Sequence, residues 1–114
     1  MRPLAAALLL LASCAAPPAP ALSADEERVL RPVPDAPESA RPLIERGDAL
    51  FVRALTPHRA GDAPAALDLY GKARASYLEA ETHCSGIVPA PLLDRVKECV
   101  TRIAALQRQL HGSK

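Results

Sequence analysis

The chain has 114 residues, three aromatic side chains (Phe51, Tyr70 and Tyr77), no tryptophan, and a formal net charge of +1 from mixed acidic and basic residues. That length bounds a single small domain, whose modest core leaves it only marginally stable by itself. With no basic stripe and no interleaved aromatics, a nucleic-acid-binding role is excluded. No stretch beyond the N-terminus approaches the roughly 20 apolar residues of a membrane span.

At the N-terminus, Arg2 supplies a positive charge, residues 4–12 form an apolar run, and the small residue Ser13 precedes Cys14. This is the layout of a secretory signal, and the run is too short to span as a mature helix. Its ending, Leu11-Ala12-Ser13-Cys14, is a branched residue, two small residues and a cysteine. It resembles the lipobox of bacterial lipoproteins. The resemblance implies that residues 1–13 are a signal peptide, that the Cys14 thiol receives a diacylglyceryl group, and that cleavage makes Cys14 the first, acylated residue. Ala15 stands where an Asp would favour the inner membrane, so the same resemblance implies an outer-membrane, periplasm-facing location. Several acyl chains anchor stably, since each buried methylene contributes about 0.8 kcal/mol. The plainer alternative is an ordinary signal cleaved near Ala15-Ala16, giving a soluble exported protein.

Residues 14–38 contain Pro17, Pro18, Pro20, Pro32, Pro34 and Pro37. Proline removes a backbone donor and biases the preceding residue away from helix. The segment is therefore expected to be an extended or disordered tether reaching about 70 Å at ~3.1 Å per residue. Residues 25–30 have the composition of a helical turn, but one too short to persist alone. No strong PxxP arrangement with flanking basic residues marks it as a recognition motif, so it reads as a spacer.

Residues 39–112 read as an all-α, three-helix domain. Ser39 is the expected N-cap of the first helix, with Pro42 in its first turn. Leu43, Gly47, Leu50, Phe51 and Ala54 recur at helical spacing, and Pro57 is expected to end the helix near Leu55, leaving residues 56–61 as a loop. Asp62 is the next N-cap, and Ala66, Leu69, Tyr70, Ala73, Tyr77, Ala80 and Cys84 mark one face of a second helix, with Gly86 as its C-terminal cap. A proline-locked connector follows. The third helix starts near Pro91 and carries Leu93, Val96, Val100, Ile103, Leu106 or Gln107, and Leu110 on its apolar face, with Arg95, Lys97, Glu98, Arg102 and Arg108 on its other sides. Gly47 lies on an apolar face, where a missing side chain admits a neighbouring helix. Gly71, a second mid-helix glycine, has no such rationale.

Gly47 with Leu50, then Ala66, Tyr70 and Ala73, follow a small–large–aromatic–small order. Residues 43–80 thereby resemble a single tetratricopeptide repeat, which implies a protein-binding scaffold without catalytic residues. The spacing between its helices is about seven residues too long for the family's roughly 34-residue period, and no second copy follows. Leu78 replaces the proline that closes the repeat.

Once Cys14 is assigned to lipid, Cys84 and Cys99 remain, an even pair expected to form a disulfide in an oxidising compartment. The alternative is two reduced, buried thiols behaving as small hydrophobes. His83, Cys84, Cys99 and His111 lack any CxxC or HxxxH spacing, so no metal site and no cofactor are expected. No nucleophile, base and orienting group stand in a pattern that predicts catalysis. The functional expectation is a membrane-anchored, non-enzymatic protein-interaction or structural module of the bacterial envelope, with Val52, Leu67, Leu78 and Ile87 as candidate partner-facing residues. The alternative is a soluble exported helical protein or an accessory subunit of an envelope enzyme complex.

Overall fold

The structure, a computed structural model, describes residues 19–112; the expected signal peptide and Cys14 lie outside the described residues. Within them the chain is helical and contains no strand. Its elements are α1 (Ala24–Val29), α2 (Arg41–Arg59), α3 (Ala63–Thr82) and α4 (Ala90–Gly112).

The first correction concerns the tether. Residues 14–38 were expected to be extended or disordered, but their second half is folded onto the domain. α1 begins with a capping box. Ser23 Oγ accepts the Glu26 N–H at 3.2 Å, and Glu26 Oε1 accepts the Ser23 N–H at 2.9 Å. Asp25, Glu26 and Glu27 crowd its first turn, where negative charge complements the helix dipole. Six residues cannot hold a helix in water; burial supplies what propensity lacks. Glu26, Val29, Ala36 and Ala40 are all buried, and Leu22, Leu30 and Val33 pack against the same core.

α2 differs from expectation at both ends. Ala40 rather than Ser39 is its N-cap, and no side chain caps it. Pro57 lies inside the helix. A proline costs a helix its own N–H bond and crowds the carbonyl four residues back, yet the helix runs two residues past it to Arg59. The true stop is Gly61, at φ +80°. Asp62 N–H reaches Pro57 O at 2.9 Å and Gly61 N–H reaches His58 O at 3.2 Å, the paired bonds of a Schellman ending. Most of the extra length assigned to a loop is therefore helix. Asp62 at once caps α3, accepting the Ala65 N–H at 3.3 Å. α3 ends at Thr82 with His83 as its C-cap, so Gly86, at φ +95°, turns the connector rather than capping the helix.

The hairpin of α2 and α3 is tight because its contact face is small. Ala66, Ala73 and Ala80 are fully buried on α3, and a β-carbon on Gly47 would collide with the ring of Tyr77, 2.7 Å from Cδ1. Ser76 Oγ ties the pair by donating to Leu43 O at 2.7 Å. Gly71 is the opposite case, since a β-carbon there meets nothing within 4 Å. Gly71→Ala should therefore stabilise the protein by about 0.5–1 kcal/mol, because alanine loses less backbone entropy in a helix. The check is a higher urea midpoint at unchanged m-value.

The second correction is the register of α4. Its buried residues are Leu92, Arg95, Cys99 and Leu106. Leu93, Val100 and Leu110, expected inside, are 41%, 45% and 37% exposed. Val96 and Ile103 lie at the border, packed against the core. The buried stripe contains an arginine, and an apolar pattern passes over it.

Candidate functional site

α3 packs along both α2 and α4, which scarcely meet each other, while α1 lies on α4. Long side chains cross the space between α2 and α4, and the N-terminal segment, residues 22–40, is strapped into it.

Arg95 is the centre of this arrangement. It is 2% exposed. Its Nε donates to Asp48 Oδ1 at 2.8 Å and its Nη2 to Asp48 Oδ2 at 3.1 Å, a two-pronged pairing that only a guanidinium makes. Nη2 also donates to the carbonyl of Arg31 in the strap at 2.8 Å, and Nη1 to Pro91 O at 3.2 Å. Tyr77 completes the set by donating its hydroxyl to Asp48 Oδ1 at 2.5 Å. One side chain thus joins α2, α4 and the strap.

A second cluster surrounds Glu26, whose side chain is 8% exposed. It accepts from Arg59 Nη2 of α2 at 2.6 Å and from Arg102 Nη1 of α4 at 3.3 Å. Arg102 also donates to Glu98 at 2.7 Å and to the Tyr70 hydroxyl oxygen at 3.0 Å. Its guanidinium lies 5.0 Å from the centre of the Phe51 ring, within cation–π range. Tyr70 Oη is 2.7 Å from His58 Nδ1. Arginine has no acceptor, so the arrangement satisfying all three groups has Arg102 donating to Tyr70 and Tyr70 donating to a neutral His58. On the outer side, Arg31 pairs with Asp94 at 2.7 Å, and Arg41 donates to Pro34 O at 3.3 Å.

The electrostatics follow from these contacts. Burial alone would raise the Glu26 pKa, but the Ser23 N–H and the charges of Arg102 and Arg59 outweigh it and hold the carboxyl below its ordinary value. Burial and then the positive charge of Arg102 depress His58. Burial raises Tyr70 and Tyr77, keeping both phenols protonated as donors. It also pushes the Cys99 thiol up to about 12, the mark of an inert buried cysteine.

His58 and Glu26 both have folded-state pKa values below their unfolded references of 6.5 and 4.5. In acid the unfolded chain binds these protons first, so stability is full above pH 6.5 and falls as pH descends through each folded value. Urea midpoints should drop first below pH 6.5, from His58, and again below 4.5, from Glu26. Arg59, Arg102 and Glu26 are the charged groups influencing His58. His58→Asn, which retains an acceptor for Tyr70, should remove the first phase and leave the second.

Two clefts flank the strap. One of about 270 Å³ is lined by Leu30, Val33, Ala36, Ile44, Asp48 and Arg95. The other, about 500 Å³ and more polar, is lined by Arg28, Arg31, Asp94, Lys97 and Glu98 among others.

The residues singled out from sequence are dispersed. Cys14 lies outside the described residues. Cys84 and Cys99 are separate thiols rather than the expected disulfide. Cys84 follows the end of α3, with Sγ 3.6 Å from Ala80 O, whereas Cys99 is fully buried well inside α4. Val52 and Leu67 are half-buried, and Leu67 packs against the core. Leu78 is 36% and Ile87 93% exposed. Sequence reasoning missed Glu26, Asp48, Arg59, Arg95 and Arg102. A signal existed in α4: positions 92, 95, 99, 102 and 106 advance in steps of three and four, a helical stripe once arginine is admitted to it.

Among the described residues, no group of three or more His, Cys, Asp or Glu is placed to hold a metal ion, and no helix is long and apolar enough to cross a membrane. Every buried side-chain nitrogen or oxygen there has a hydrogen-bond partner. The site's arginines are thus spent on binding a carboxylate and a backbone carbonyl of an adjoining segment. No family model matches the chain, and the curated proteins and solved structures yield no significant match.

Proposed function

We propose that this protein is a lipid-anchored helical module of the bacterial cell envelope that binds a segment of another protein. The observation carrying this reading is the strap itself. The faces of α2 and α4 hold a short, proline-flanked stretch through arginine–carboxylate pairs, a guanidinium on a backbone carbonyl, and apolar contacts from Val29 and Ala36. An apolar helix face laid in a groove and an acidic group held by an arginine cluster are both recurrent modes of peptide recognition. The Gly47–Tyr77 contact and the alanines of α3 support a likeness to one tetratricopeptide repeat. Helical residues as far as Arg59 and Leu78 at the expected proline set it apart.

The anchor is Cys14. With the strap docked from Leu22, only the eight residues 14–21 separate the anchor from the folded part, which bounds its distance from the membrane at about 25 Å for ~3.1 Å per residue. Fatty-acid labelling of wild type and Cys14→Ser tests the anchor, and label retained by the variant would refute it. Cross-linked capture from membranes, with anchor and tether retained and the helical domain present or deleted, tests the module. Capture of the same partners by both forms would overturn the binding reading.

A further inference from the structure

The strap's contacts are ones that a separate chain can reproduce. Its carboxylate at Glu26 sits between Arg59 and Arg102, its carbonyl at Arg31 meets Arg95, and Val29 and Ala36 fill the apolar floor. None of these contacts depends on the covalent connection to α2. With the strap lifted away, the groove would present four arginines, Arg41, Arg59, Arg95 and Arg102, against the three carboxylates of Asp48, Asp94 and Glu98. That balance selects an acidic occupant. The strap also leaves space beside itself, in the 270 Å³ cleft bordered by Leu30, Val33 and Ile44.

We infer that residues 23–36 are a built-in stand-in for the partner, and that the α2–α4 groove is the partner's binding surface. The occupant that displaces the strap is an acidic protein segment. It places a carboxylate between Arg59 and Arg102, in the first turn of a short capped helix, and an apolar side chain three residues further on. This deepens the protein-binding reading and rests on it. The attached strap competes at an effective concentration of order millimolar, so the groove discriminates against weak acidic peptides and opens only to a segment that binds better. Release of the strap also lengthens the tether, since the free segment then runs from Cys14 to the start of α2.

Hydrogen exchange on the full chain in detergent micelles tests whether the strap opens separately. The amides to follow are Leu30 and Ala36 of the strap, bonded to Glu26 O and Val33 O, and those of Tyr70, Tyr77 and Cys99. Glu26→Gln and Arg59→Gln should each speed strap exchange about tenfold or more and leave the core amides unchanged. Arg59→Gln matters because it weakens the groove contact without touching the α1 capping box. In a second arm, a synthetic peptide of residues 22–36 is titrated onto the full chain carrying Glu26→Arg, whose strap is repelled by Arg59 and Arg102. The peptide should bind at least tenfold more tightly than the same peptide with Gln in place of Glu26. Core amides that accelerate in step with the strap would overturn the inference, because the strap would then be an inseparable part of the fold. Equal binding of the two peptides would overturn it as well. Either failure leaves the membrane capture result standing.

Discussion

Replacing Arg95 with alanine should cost about 3–5 kcal/mol, the penalty for breaking a buried ion pair by deleting one partner. The guanidinium is almost wholly enclosed and serves Asp48, the Arg31 carbonyl and the Pro91 carbonyl together. Its loss leaves Asp48 with the Tyr77 hydroxyl as its remaining partner in this cluster, strands the strap carbonyl, and empties the volume of a large side chain. Asp48 keeps 29% side-chain exposure, which lets water recover part of its solvation and places the expectation toward the lower end. A domain with ~5–15 kcal/mol in total would be left close to its unfolding threshold. Arg95→Lys should also be costly, because an ammonium cannot grip both carboxylate oxygens. Urea denaturation of Arg95→Ala, Asp48→Asn and the double variant measures the coupling, which should exceed 1 kcal/mol for groups in direct contact. A loss below about 1 kcal/mol for Arg95→Ala would show that the cluster is not a structural centre.

Gly47→Ala should destabilise by roughly 1–3 kcal/mol, the range for overpacking a closed interface, even though alanine is the better helix former by ~1 kcal/mol. The added methyl would fall on the Tyr77 ring. That ring is fully buried, and its hydroxyl is held by Asp48, so it cannot swing aside without releasing the Arg95 cluster. Relief comes only from moving α2 away from α3, which loosens the alanine face along the hairpin. Gly71→Ala is the internal control, with the same chemical change on an open helix surface and the opposite expected sign. If both variants gain stability, the close approach of Tyr77 to Gly47 is refuted.

Arg95 and Gly47 differ in how far the sequence conveys their roles. The helical spacing of Phe51, Tyr70, Ala73 and Tyr77 is legible because apolar burial leaves a period of 3.6 in the chain. The role of Gly47 is legible too, since a glycine on an apolar helix face costs helix stability and is offset by the close packing it permits. In α4 the apolar pattern points one position out of register, because apolar content does not equal burial there. Leu93 and Val100 look more buried than Arg95, but Arg95 has a carboxylate waiting on α2 and a carbonyl on the strap. Those partners are 47 and 64 residues away in sequence, and no local pattern announces them. The segment before α2 misleads for a related reason. Its prolines speak against regular structure, whereas its order comes from a groove formed by residues far along the chain.

The sequence by itself determined that the domain is all-helical, where α3 starts, and that α2 and α3 approach closely at Gly47, because caps, spacing and small residues act over a few positions. It also carries the expectation of an anchor at Cys14. Only the tertiary structure decided that Arg95 is interior, that α4 turns Leu93 and Val100 outward, and that the N-terminal segment is a docked strap. Those outcomes depend on charges meeting across elements, and such pairs are favourable only at distances that folding creates.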